Sequence, residues 1–369
     1  MSDKKQLQLE DGSKLDWLEK SAEMFLNKSI VLYGLSNTGK GRIIIDILYR
    51  LRNYISFPFV ICKSQVSAEK DYSPRIPRSC ITHTLTKEWL EQFIKIQEGR
   101  SRLYNIANNI KNLQNLFSKI KNGTAKVLEA QIMNNTESII QEIELSNMSF
   151  AQKKSVKEKI REGESNMLKL LYRAFIRRYY NELDRYSEKL TDNEYITLHH
   201  IDFIPHALLI FDDCAFMLKK WIKENPGIKE LFYQGRHFYT TVILATQADK
   251  DIDTEIRKNA RLSFFTSAQD AAGAFTRASN NYPDRDRKRT NTCIKSVFMP
   301  DGIESKTNFQ KLVYDRDNPS NPFKYTIADI YDDDDFQLGA DSVWDLDDKI
   351  RPGDEDYKAS KFLKRYARY

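Results

Sequence analysis

Short, mostly apolar runs recur along this chain and are separated by longer polar and amphipathic segments. Runs of this length and composition are typical of strands that are buried on both faces of a parallel sheet. They occupy residues 30–33, 57–62, 205–211, 240–245 and 261–266. Helix-forming segments lie between them, so the pattern predicts an α/β fold with a mainly parallel sheet flanked by helices.

The segment between the second and third runs has a different character. Residues 86–98 carry an apolar stripe at helical spacing, and hardly a Gly or Pro interrupts residues 102–121, 126–145 and 149–189. A long helical insertion is therefore predicted within the α/β domain.

The two ends of the chain also have readable patterns. Residues 15–26 have helical spacing and predict a helix that leads into the first strand. Polar and basic residues at 280–291 predict a loop, and residues 295–300 and 309–314 predict terminal strands.

The first apolar run leads into a glycine-containing loop and then into a helix. The loop and the first helical positions are Gly34, Leu35, Ser36, Asn37, Thr38, Gly39, Lys40, Gly41 and Arg42. Glycines in this order let backbone N–H groups curl around a polyphosphate, the helix N-terminus adds positive potential, and the lysine reaches the outer phosphates. The strand, loop and helix predict a nucleotide-binding phosphate loop, with an ordinary glycine turn as the alternative. Gly41 stands where the motif has a Ser or Thr that holds Mg²⁺.

Two later strands end in polar side chains that suit the same site. Asp212 and Asp213 follow the third run, where the first acid would bind Mg²⁺ and the second would activate the attacking water. Gln247 follows the fourth run and can hydrogen-bond a γ-phosphate or the nucleophilic water. Arg236 precedes that run in a glycine turn, which suits either an arginine finger offered to a neighbouring subunit or a structural, ion-paired arginine. Arg257 is a second finger candidate.

The formal net charge of +6 is unevenly distributed. Residues 329–357 contain twelve acidic and two basic side chains, a net charge of −10, so the remainder of the chain carries +16. A basic body favours a polyanionic partner. Residues 152–189 are rich in Lys and Arg and predict either an arm that contacts DNA or another subunit, or a solvated amphipathic helix. The basic cluster at residues 285–289 predicts either a DNA-contacting loop or a solvated one. The acidic stretch is expected to be extended or disordered, with docking through Trp344 and Leu346 as the alternative, and to compete with DNA for the basic surface.

Sequence features also bear on the compartment. The chain begins with a polar segment that is not a signal peptide, and no apolar stretch approaches the roughly 18 to 20 residues of a membrane span. These features predict a cytoplasmic protein. Four scattered cysteines without metal-ligand spacing predict free thiols rather than a zinc site.

Four sequence elements in this order, GLSNTGKG, LLIFDDC, QGRH and ILATQ, resemble the FtsK/HerA superfamily of ATPases. They resemble more closely the virion DNA-packaging ATPases of large double-stranded DNA viruses, of the poxvirus-like type. The YSPRIP loop and the WLEQFIKIQE helix add to the likeness, which covers about residues 29–265. The resemblance implies a RecA-like P-loop NTPase core with an extra strand between the phosphate loop and the acidic pair. It also implies oligomeric rings around duplex DNA and ATP hydrolysis that drives DNA into a capsid.

Carried over by position, the resemblance implies a role for each site residue. Lys40 would bind the β- and γ-phosphates, and Gly34 and Gly39 would shape their cradle. Asp212 would hold Mg²⁺, Asp213 would polarise water, Gln247 would sense the γ-phosphate and Arg236 would act in trans. ATP and Mg²⁺ are the implied cofactors. The sequence departs from the family pattern at two positions. Gly41 lacks the usual Mg²⁺-binding hydroxyl, so Thr38, waters or Asp212 would have to supply that ligand. Asp213 stands where many members of the family have Glu.

The predicted organisation has four parts: residues 1–98 and 191–328 form the ATPase core, residues 99–190 form the helical insertion, and residues 329–369 form an acidic tail with a basic end. The predicted function is an ATP-hydrolysing motor that translocates double-stranded DNA and packages a viral genome. The alternatives are a nucleotide-binding assembly protein with little turnover, favoured by Gly41, and a cellular or plasmid translocase of the same superfamily. Predicted partners are duplex DNA, further copies in a ring, and capsid or inner-membrane virion proteins, in the host cytoplasm, a viral factory or the virion.

Overall fold

The computed structural model describes residues 6–224, 227–247, 249–300, 302, 309–332, 335–350 and 359–366. The chain divides into two compact units, one formed by Met1–Glu98 with Ile204–Tyr369 and the other by Gly99–Phe203. The predicted insertion at residues 99–190 falls within the second unit.

Ten strands are present among the described residues, and all lie in the first unit. They are β1 (Leu7–Gln8), β2 (Lys14–Trp17), β3 (Ser29–Tyr33), β4 (Phe57–Cys62), β5 (Ile81–Thr82), β6 (Ala207–Asp212), β7 (Thr240–Thr246), β8 (Leu262–Phe265), β9 (Lys311–Asp315) and β10 (Phe323–Thr326).

The helices are numbered in chain order. Those that precede the second unit are α1 (Ala22–Phe25), α2 (Lys40–Leu51) and α3 (Gln65–Ser67). Helix α4 (Lys87–Ala107) begins before Gly99, and the rest of the second unit contains α5 (Ile110–Ser118), α6 (Gly123–Leu145), α7 (Phe150–Arg178), α8 (Tyr180–Asp184) and α9 (Asp192–His199). The chain then adds α10 (Ala215–Glu224), α11 (Gly227–Gln234), α12 (Thr254–Asn259), α13 (Ala268–Thr276), α14 (Asp284–Phe298), α15 (Asp341–Ile350) and α16 (Ala359–Tyr366).

The strands form one sheet in the order β1-β2-β10-β9-β8-β3-β7-β6-β4-β5. Strands β8, β3, β7, β6, β4 and β5 run parallel, whereas β9 is antiparallel to both β8 and β10. Strand β7 lies between β3 and β6, so the strand order is RecA-like and the predicted extra strand is confirmed. Tyr33 pairs with Thr246 and Asp212 pairs with Ala245, which places the carboxyl ends of the three strands at one edge.

Burial explains why the apolar runs become strands of this sheet. All five residues of β3 and all six residues of β4 are buried. Helix α2 packs an apolar stripe against the sheet through residues such as Ile44, Leu48 and Leu51, which are fully buried. Full burial of each such side chain contributes on the order of 1.5–3 kcal/mol, so the loop between β3 and α2 is anchored at both ends.

The second unit has its own helical core. Helix α5 contributes Leu113, Leu116 and Phe117 to it, and α7 contributes Tyr172 and Ile176. Helix α7 starts at a capping box formed by the side chains of residues 149 and 152. Neither in this unit nor elsewhere in the described chain is a helix long and apolar enough to span a membrane.

The predicted helix at residues 15–26 is largely wrong. Residues 14–17 form β2, which pairs in parallel with β10, and only Ala22–Phe25 is helical. The Nζ of Lys324 in β10 lies 3.1 Å from the Oδ2 of Asp16 across this pairing. The partner strand is about three hundred residues away in sequence, so the local pattern did not reveal it.

The predicted loop at residues 280–291 and strand at residues 295–300 are also wrong. Helix α14 occupies Asp284–Phe298, with Asp284 and Asp286 in its first turn, where carboxylates favour a helix N-terminus. Its buried positions include Thr290, Ile294 and Val297, a helical spacing that the basic cluster at residues 285–289 obscured.

The acidic tail is not wholly extended or disordered. Residues 341–350 form α15, whose Val343, Leu346 and Ile350 are buried. Asp347 in the same helix accepts a hydrogen bond from the Ser79 backbone N–H at 2.9 Å and another from the Ser79 hydroxyl. An apolar face at helical spacing therefore docks this part of the tail despite its charge.

Candidate nucleotide and metal site

The loop after β3 has the conformation that a phosphate-binding loop requires. Gly39 has a φ of 89° and serves as the N-cap of α2, and Asn37 has a φ of 64°. A Cβ on Gly34 would lie 2.6 Å from the Thr38 Oγ1 and would overlap the Thr266 side chain. The Thr266 hydroxyl donates to Thr38 Oγ1 at 2.7 Å, and the Thr38 hydroxyl donates to the Leu35 carbonyl at 2.8 Å. Glycine at position 34 is thus required by packing against the end of β8 as well as by the loop.

Lys40 turns its amine back onto the loop that precedes it. The residue is buried, and its Nζ donates to the carbonyl oxygens of Gly34 and, at 2.9 Å, of Leu35. Burial lowers the pKa of this amine, an effect that the nearby carboxylates of Asp213 and Asp212 oppose. An ammonium held only by carbonyl dipoles would gain a stronger, charge-assisted interaction with a phosphate oxygen.

A cavity of about 600 Å³ opens beside this loop. Its walls come from the loop and α2, the region after β4, the acidic pair at the end of β6, and the chain segment after β10. The residues that line it are Ser36, Asn37, Gly39, Lys40, Gly41, Arg42, Ile45, Ser67, Lys70, Asp71, Arg75, Asp212, Asp213, Asp329, Ile330 and Tyr331. A cavity of this volume is within the size range of small-molecule and cofactor sites. Six of the seven predicted loop positions from 36 to 42 border it, and the acidic pair faces it from the same sheet edge.

Asp212 is positioned by β6 and by a tyrosine that sequence reasoning did not find. Its side chain is half-buried, and the Tyr72 hydroxyl donates to its Oδ2 at 2.9 Å. Burial is the main reason why the pKa of this carboxyl is raised to about 6, and the charges of Asp213 and Asp71 act in the same direction, whereas the Tyr72 hydrogen bond and the Lys40 ammonium act against it. Carboxylates crowded in this way would be relieved by a bound cation.

Asp213 differs from its neighbour in exposure and backbone conformation. Its φ is 52°, which lies in the left-handed region that Asp and Asn tolerate better than most residues, and its side chain is exposed. The turn separates the two carboxylates, so Asp212 stays against the sheet while Asp213 faces the open side of the cavity. This division fits the separate roles predicted for the two acids.

The surroundings of Gly41 test whether Mg²⁺ fits this site. A Cβ at Gly41 would lie 3.6 Å from the Oδ2 of Asp71, so a carboxylate oxygen occupies the neighbourhood that a Ser or Thr side chain would share. Asp71 belongs to the π-helical turn Ala68–Tyr72, close to Asp212. Among the described residues, no group of three or more His, Cys, Asp or Glu is arranged as a self-sufficient metal cage. Mg²⁺ is usually held by one or two carboxylates together with phosphates and waters, and the donors here fit that kind of binding.

Gln247 is placed at the expected edge by its strand. It follows β7 directly, and the Gly34 backbone N–H donates to the carbonyl of the preceding residue, Thr246, at 3.1 Å. Its side chain is exposed and is not part of the cavity wall. The backbone therefore brings Gln247 beside the loop, and its role toward a γ-phosphate stays a prediction.

The two arginine candidates have different surroundings. Arg236 is exposed in the 3₁₀ turn Gly235–Phe238, ahead of β7, and β7 separates it by roughly 20 Å from the edge that carries the loop. Arg257 is buried, with its guanidinium 3.1 Å from the Asp249 carboxylate and 2.7 Å from the Thr254 hydroxyl. Arg236 is therefore exposed and remote from its own loop, whereas Arg257 belongs to a buried ion pair within its own chain, and the role of either as an arginine finger stays a prediction.

Comparison with protein families gives a match to the model described as zonular occludens toxin (Zot), over residues 167–303. Similar curated proteins are the "Uncharacterized protein B354L" of African swine fever virus. The version from the Warthog/Namibia isolate is 29% identical over 327 residues, and that from the Tick/Malawi isolate is 28% identical over 327 residues. In both cases the match covers 85% of this chain and 85% of the relative.

Solved structures with some likeness are nucleoside triphosphatases and a coupling protein. The genome packaging NTPase B204 from Sulfolobus turreted icosahedral virus 2, in complex with ATP-gammaS, has a TM-score of 0.32 at 14% identity and covers 84% of this chain and 100% of its own. The bacterial conjugative coupling protein TrwB has a TM-score of 0.36 at 11% identity, with 92% of each chain covered.

Proposed function

We propose that this chain, a P-loop ATPase of the FtsK/HerA superfamily, is the motor that moves double-stranded DNA and packages a viral genome into its capsid. The observation that carries the proposal is the convergence of Lys40, Asp212 and the end of β7 at one edge of the sheet, around a cavity of about 600 Å³. Binding and hydrolysis of ATP at this edge would supply the free energy for movement.

Each residue of the site would have a distinct task. The loop amides from residue 36 onwards would surround the phosphates, and Lys40 would exchange its two carbonyl acceptors for phosphate oxygens. Asp212, with Asp71 beside Gly41, would hold Mg²⁺. Bound Mg²⁺ supplies charge neutralisation between the β- and γ-phosphates. Asp213 would accept the proton of the attacking water, and Gln247 would orient that water.

A ring of identical subunits would complete the site. Arg236 lies at the opposite end of β7 from its own phosphate loop, so it would reach a γ-phosphate only in a neighbouring subunit. An arginine supplied in trans stabilises the charge that develops on the transferred phosphoryl group. Hydrolysis would then depend on assembly, as a coordinated motor requires.

Helix α7 is the proposed surface for DNA. It carries nine Lys and Arg against three Glu residues. Some of these cations are engaged within the unit, for example Lys157 with Glu144 and Arg177 with Asp202. Lys154, Lys159 and Arg161 are exposed and have no ion-pair partner among the described residues. Cations on one helix that are free of carboxylates are suited to DNA phosphates.

Viral origin of the relatives supports packaging rather than a cellular or plasmid role, and a site in the infected cytoplasm or the virion. The assembly-protein alternative is favoured only by Gly41, and Asp71 supplies an acidic oxygen in that place. ATP hydrolysis should be measured at several protein concentrations with and without duplex DNA, and with Lys40→Ala as the inactive control. We expect a rate that rises with concentration and with DNA. Nucleotide binding without turnover would favour the assembly protein, and indifference to DNA would exclude a DNA motor.

The DNA surface has its own test. The triple variant Lys154→Gln, Lys159→Gln, Arg161→Gln should bind duplex DNA more weakly. The logarithm of its association constant should also fall less steeply with the logarithm of the salt concentration, by about 0.9 in slope for each phosphate that is no longer neutralised. The matched control removes three exposed lysines that lie outside α7 in the same unit, Lys111, Lys121 and Lys126. Equal weakening in both triples would mean that net charge, and not helix α7, attracts the DNA.

A further inference from the structure

A second lysine lies at the phosphate loop, on a strand that sequence reasoning gave no chemical role. Lys311 is the first residue of β9, which runs antiparallel to β8. Leu312 pairs with Phe265, so Lys311 stands opposite Thr266, the residue that packs against Gly34. The start of β9 therefore reaches the same sheet edge as the end of β3.

The amine of Lys311 is close to the end of the loop. A Cβ on Gly39 would lie 3.6 Å from the Lys311 Cε and 3.7 Å from its Nζ. Gly39 caps α2 in a left-handed conformation, at the point where the loop amides and the helix N-terminus favour an anion. The ammonium thus lies beside the positively polarised end of a helix, a position that an intervening anion would make favourable.

Lys311 is a largely buried cation for which the residues that the structure describes provide no ion-pair partner. The residue is only 3% exposed, and no described residue forms a hydrogen bond or an ion pair with its amine. Burial lowers the pKa of this amine to about 8. By contrast Lys324, on the neighbouring strand β10, pairs with Asp16 at 3.1 Å. A cation with so little access to solvent is usually paired, because its desolvation is costly, so an anionic ligand is expected at Lys311.

We propose that Lys311 is a second phosphate-binding lysine, which contacts the diphosphate part of the nucleotide on the side of the loop away from the metal-binding acids. The proposal rests on the nucleotide site proposed above. The order of the strands gives the side of the loop on which each residue lies. Asp212 is on β6, two strands from β3 in one direction, and Lys311 is on β9, two strands from β3 in the other direction. The metal would neutralise the outer phosphates on the Asp212 side. Lys311 would neutralise the inner phosphates, which ADP and ATP share.

If Lys311 binds the diphosphate, removal of its charge should weaken the binding of every nucleotide that carries a diphosphate. Lys311→Met keeps most of the apolar stem and removes the charge, so it should weaken binding of both ADP and ATP by about 10-fold or more, the loss expected for one charge-assisted hydrogen bond. The loss should be the same with Mg²⁺ and with a chelator present, because the lysine acts on the metal-free side. Lys324→Met is the matched control and should bind both nucleotides as the wild type does.

Calorimetric titration of the full chain with ADP and with ATP separates the outcomes. If Lys311→Met binds both nucleotides as tightly as the wild type while Lys40→Met does not, the proposal for Lys311 is overturned and the nucleotide site stands. If the wild type itself binds neither nucleotide, the proposed function fails. Unfolding curves recorded without nucleotide establish that each variant is folded, and the methionine should be at least as stable as the unpaired lysine.

A second measurement uses the wild type alone and does not depend on the variant folding. ADP that carries an acyl group on its terminal phosphate is mixed with the protein. A lysine amine beside the phosphates attacks the acyl carbonyl, the bond between that carbon and the phosphate oxygen breaks, ADP leaves, and the buffer takes the amine proton. Mass spectrometry should find Lys311 acylated, with free ADP suppressing the reaction. Acylation of Lys40 without Lys311, or no acylation of Lys311 at all, overturns the proposal.

Discussion

Replacement of Asp212 by Asn should stabilise the nucleotide-free protein at alkaline pH. Burial raises the pKa of this carboxyl from the ordinary value of 3.8 to about 6 in the folded chain. The unfolded chain therefore loses the proton at lower pH than the folded chain does. Between about pH 4 and pH 6 the folded state binds more protons, so this group makes stability fall as pH rises through that window. Above about pH 6 the folded protein retains the full free-energy cost of holding an ionised carboxylate in a half-buried position.

The magnitude follows from the shift. A difference of about two pKa units corresponds to roughly 3 kcal/mol, and this is an upper bound because the side chain is partly accessible to solvent. Asn keeps the shape of the side chain and still accepts the hydrogen bond from the Tyr72 hydroxyl. Asp212→Asn should therefore be more stable than the wild type at pH 8 by as much as about 3 kcal/mol, and the difference should largely vanish at pH 4.

Urea unfolding at pH 4, 5, 6, 7 and 8 measures this difference directly, since the pH dependence of every other group cancels between the two proteins. Asp213→Asn is the matched control: its side chain is exposed, and Asn tolerates the left-handed backbone at that position. Mg²⁺ with nucleotide should then stabilise the wild type more than Asp212→Asn. A variant that is less stable than the wild type at pH 8, or a difference independent of pH, would refute the burial argument.

Two further predictions concern the loop and the assembly. Gly34→Ala should destabilise the chain by about 1–3 kcal/mol in urea unfolding and abolish nucleotide binding, because the new Cβ overlaps Thr266. The control is Gly163→Ala in α7, where no atom lies within 4 Å of the added Cβ. Its free energy of unfolding should rise by up to about 1 kcal/mol in the same assay. Hydrolysis should be lost in Arg236→Ala and in Lys40→Ala. A mixture of the two variants should regain part of the activity, because a Lys40→Ala subunit can offer its Arg236 to the intact loop of an Arg236→Ala subunit. No recovery in a mixture that co-assembles would exclude Arg236 as the finger.

The sequence predicted those features that are encoded locally. Residues 34–40 define a phosphate loop by themselves, because the glycines and the lysine must be contiguous between a strand and a helix. The acids after β6 and the glutamine after β7 follow apolar runs, and parallel strands bring their carboxyl ends to one edge. The RecA-like order of strands was predicted from the resemblance and is confirmed.

What the sequence did not predict depends on distant partners. Residues 14–17 become a strand because β10 lies beside them, and residues 341–350 form a helix that was not predicted where twelve acidic residues dominate the pattern. Within the site, Asp71 and Tyr72 lie where the YSPRIP stretch begins, and nothing in the sequence gave them a chemical role. Lys311 approaches the loop only because β9 pairs with β8. Such pairings have no periodicity or spacing that a single sequence can display.

The proposal that the Asp71 carboxylate replaces the missing hydroxyl at the metal site can be tested by restoring the hydroxyl. Gly41→Ser places its Cβ 3.6 Å from the Asp71 Oδ2, an ordinary contact, so the variant should fold and its new hydroxyl can donate to that carboxylate. Asp71→Asn removes the negative charge and should weaken Mg²⁺-dependent ATP binding by about 10-fold, while binding in the presence of a chelator should be unchanged.

The double variant Gly41→Ser, Asp71→Asn then isolates the role of position 71. If Asp71 stands in for the missing hydroxyl, the serine should restore much of the Mg²⁺ dependence that Asp71→Asn loses, because a ligand oxygen returns to the first turn of α2. Independent, additive effects in a double-mutant cycle would instead mean that the two positions do not share a metal ligand. Titration of ATP binding against Mg²⁺ concentration decides between these results without reference to hydrolysis.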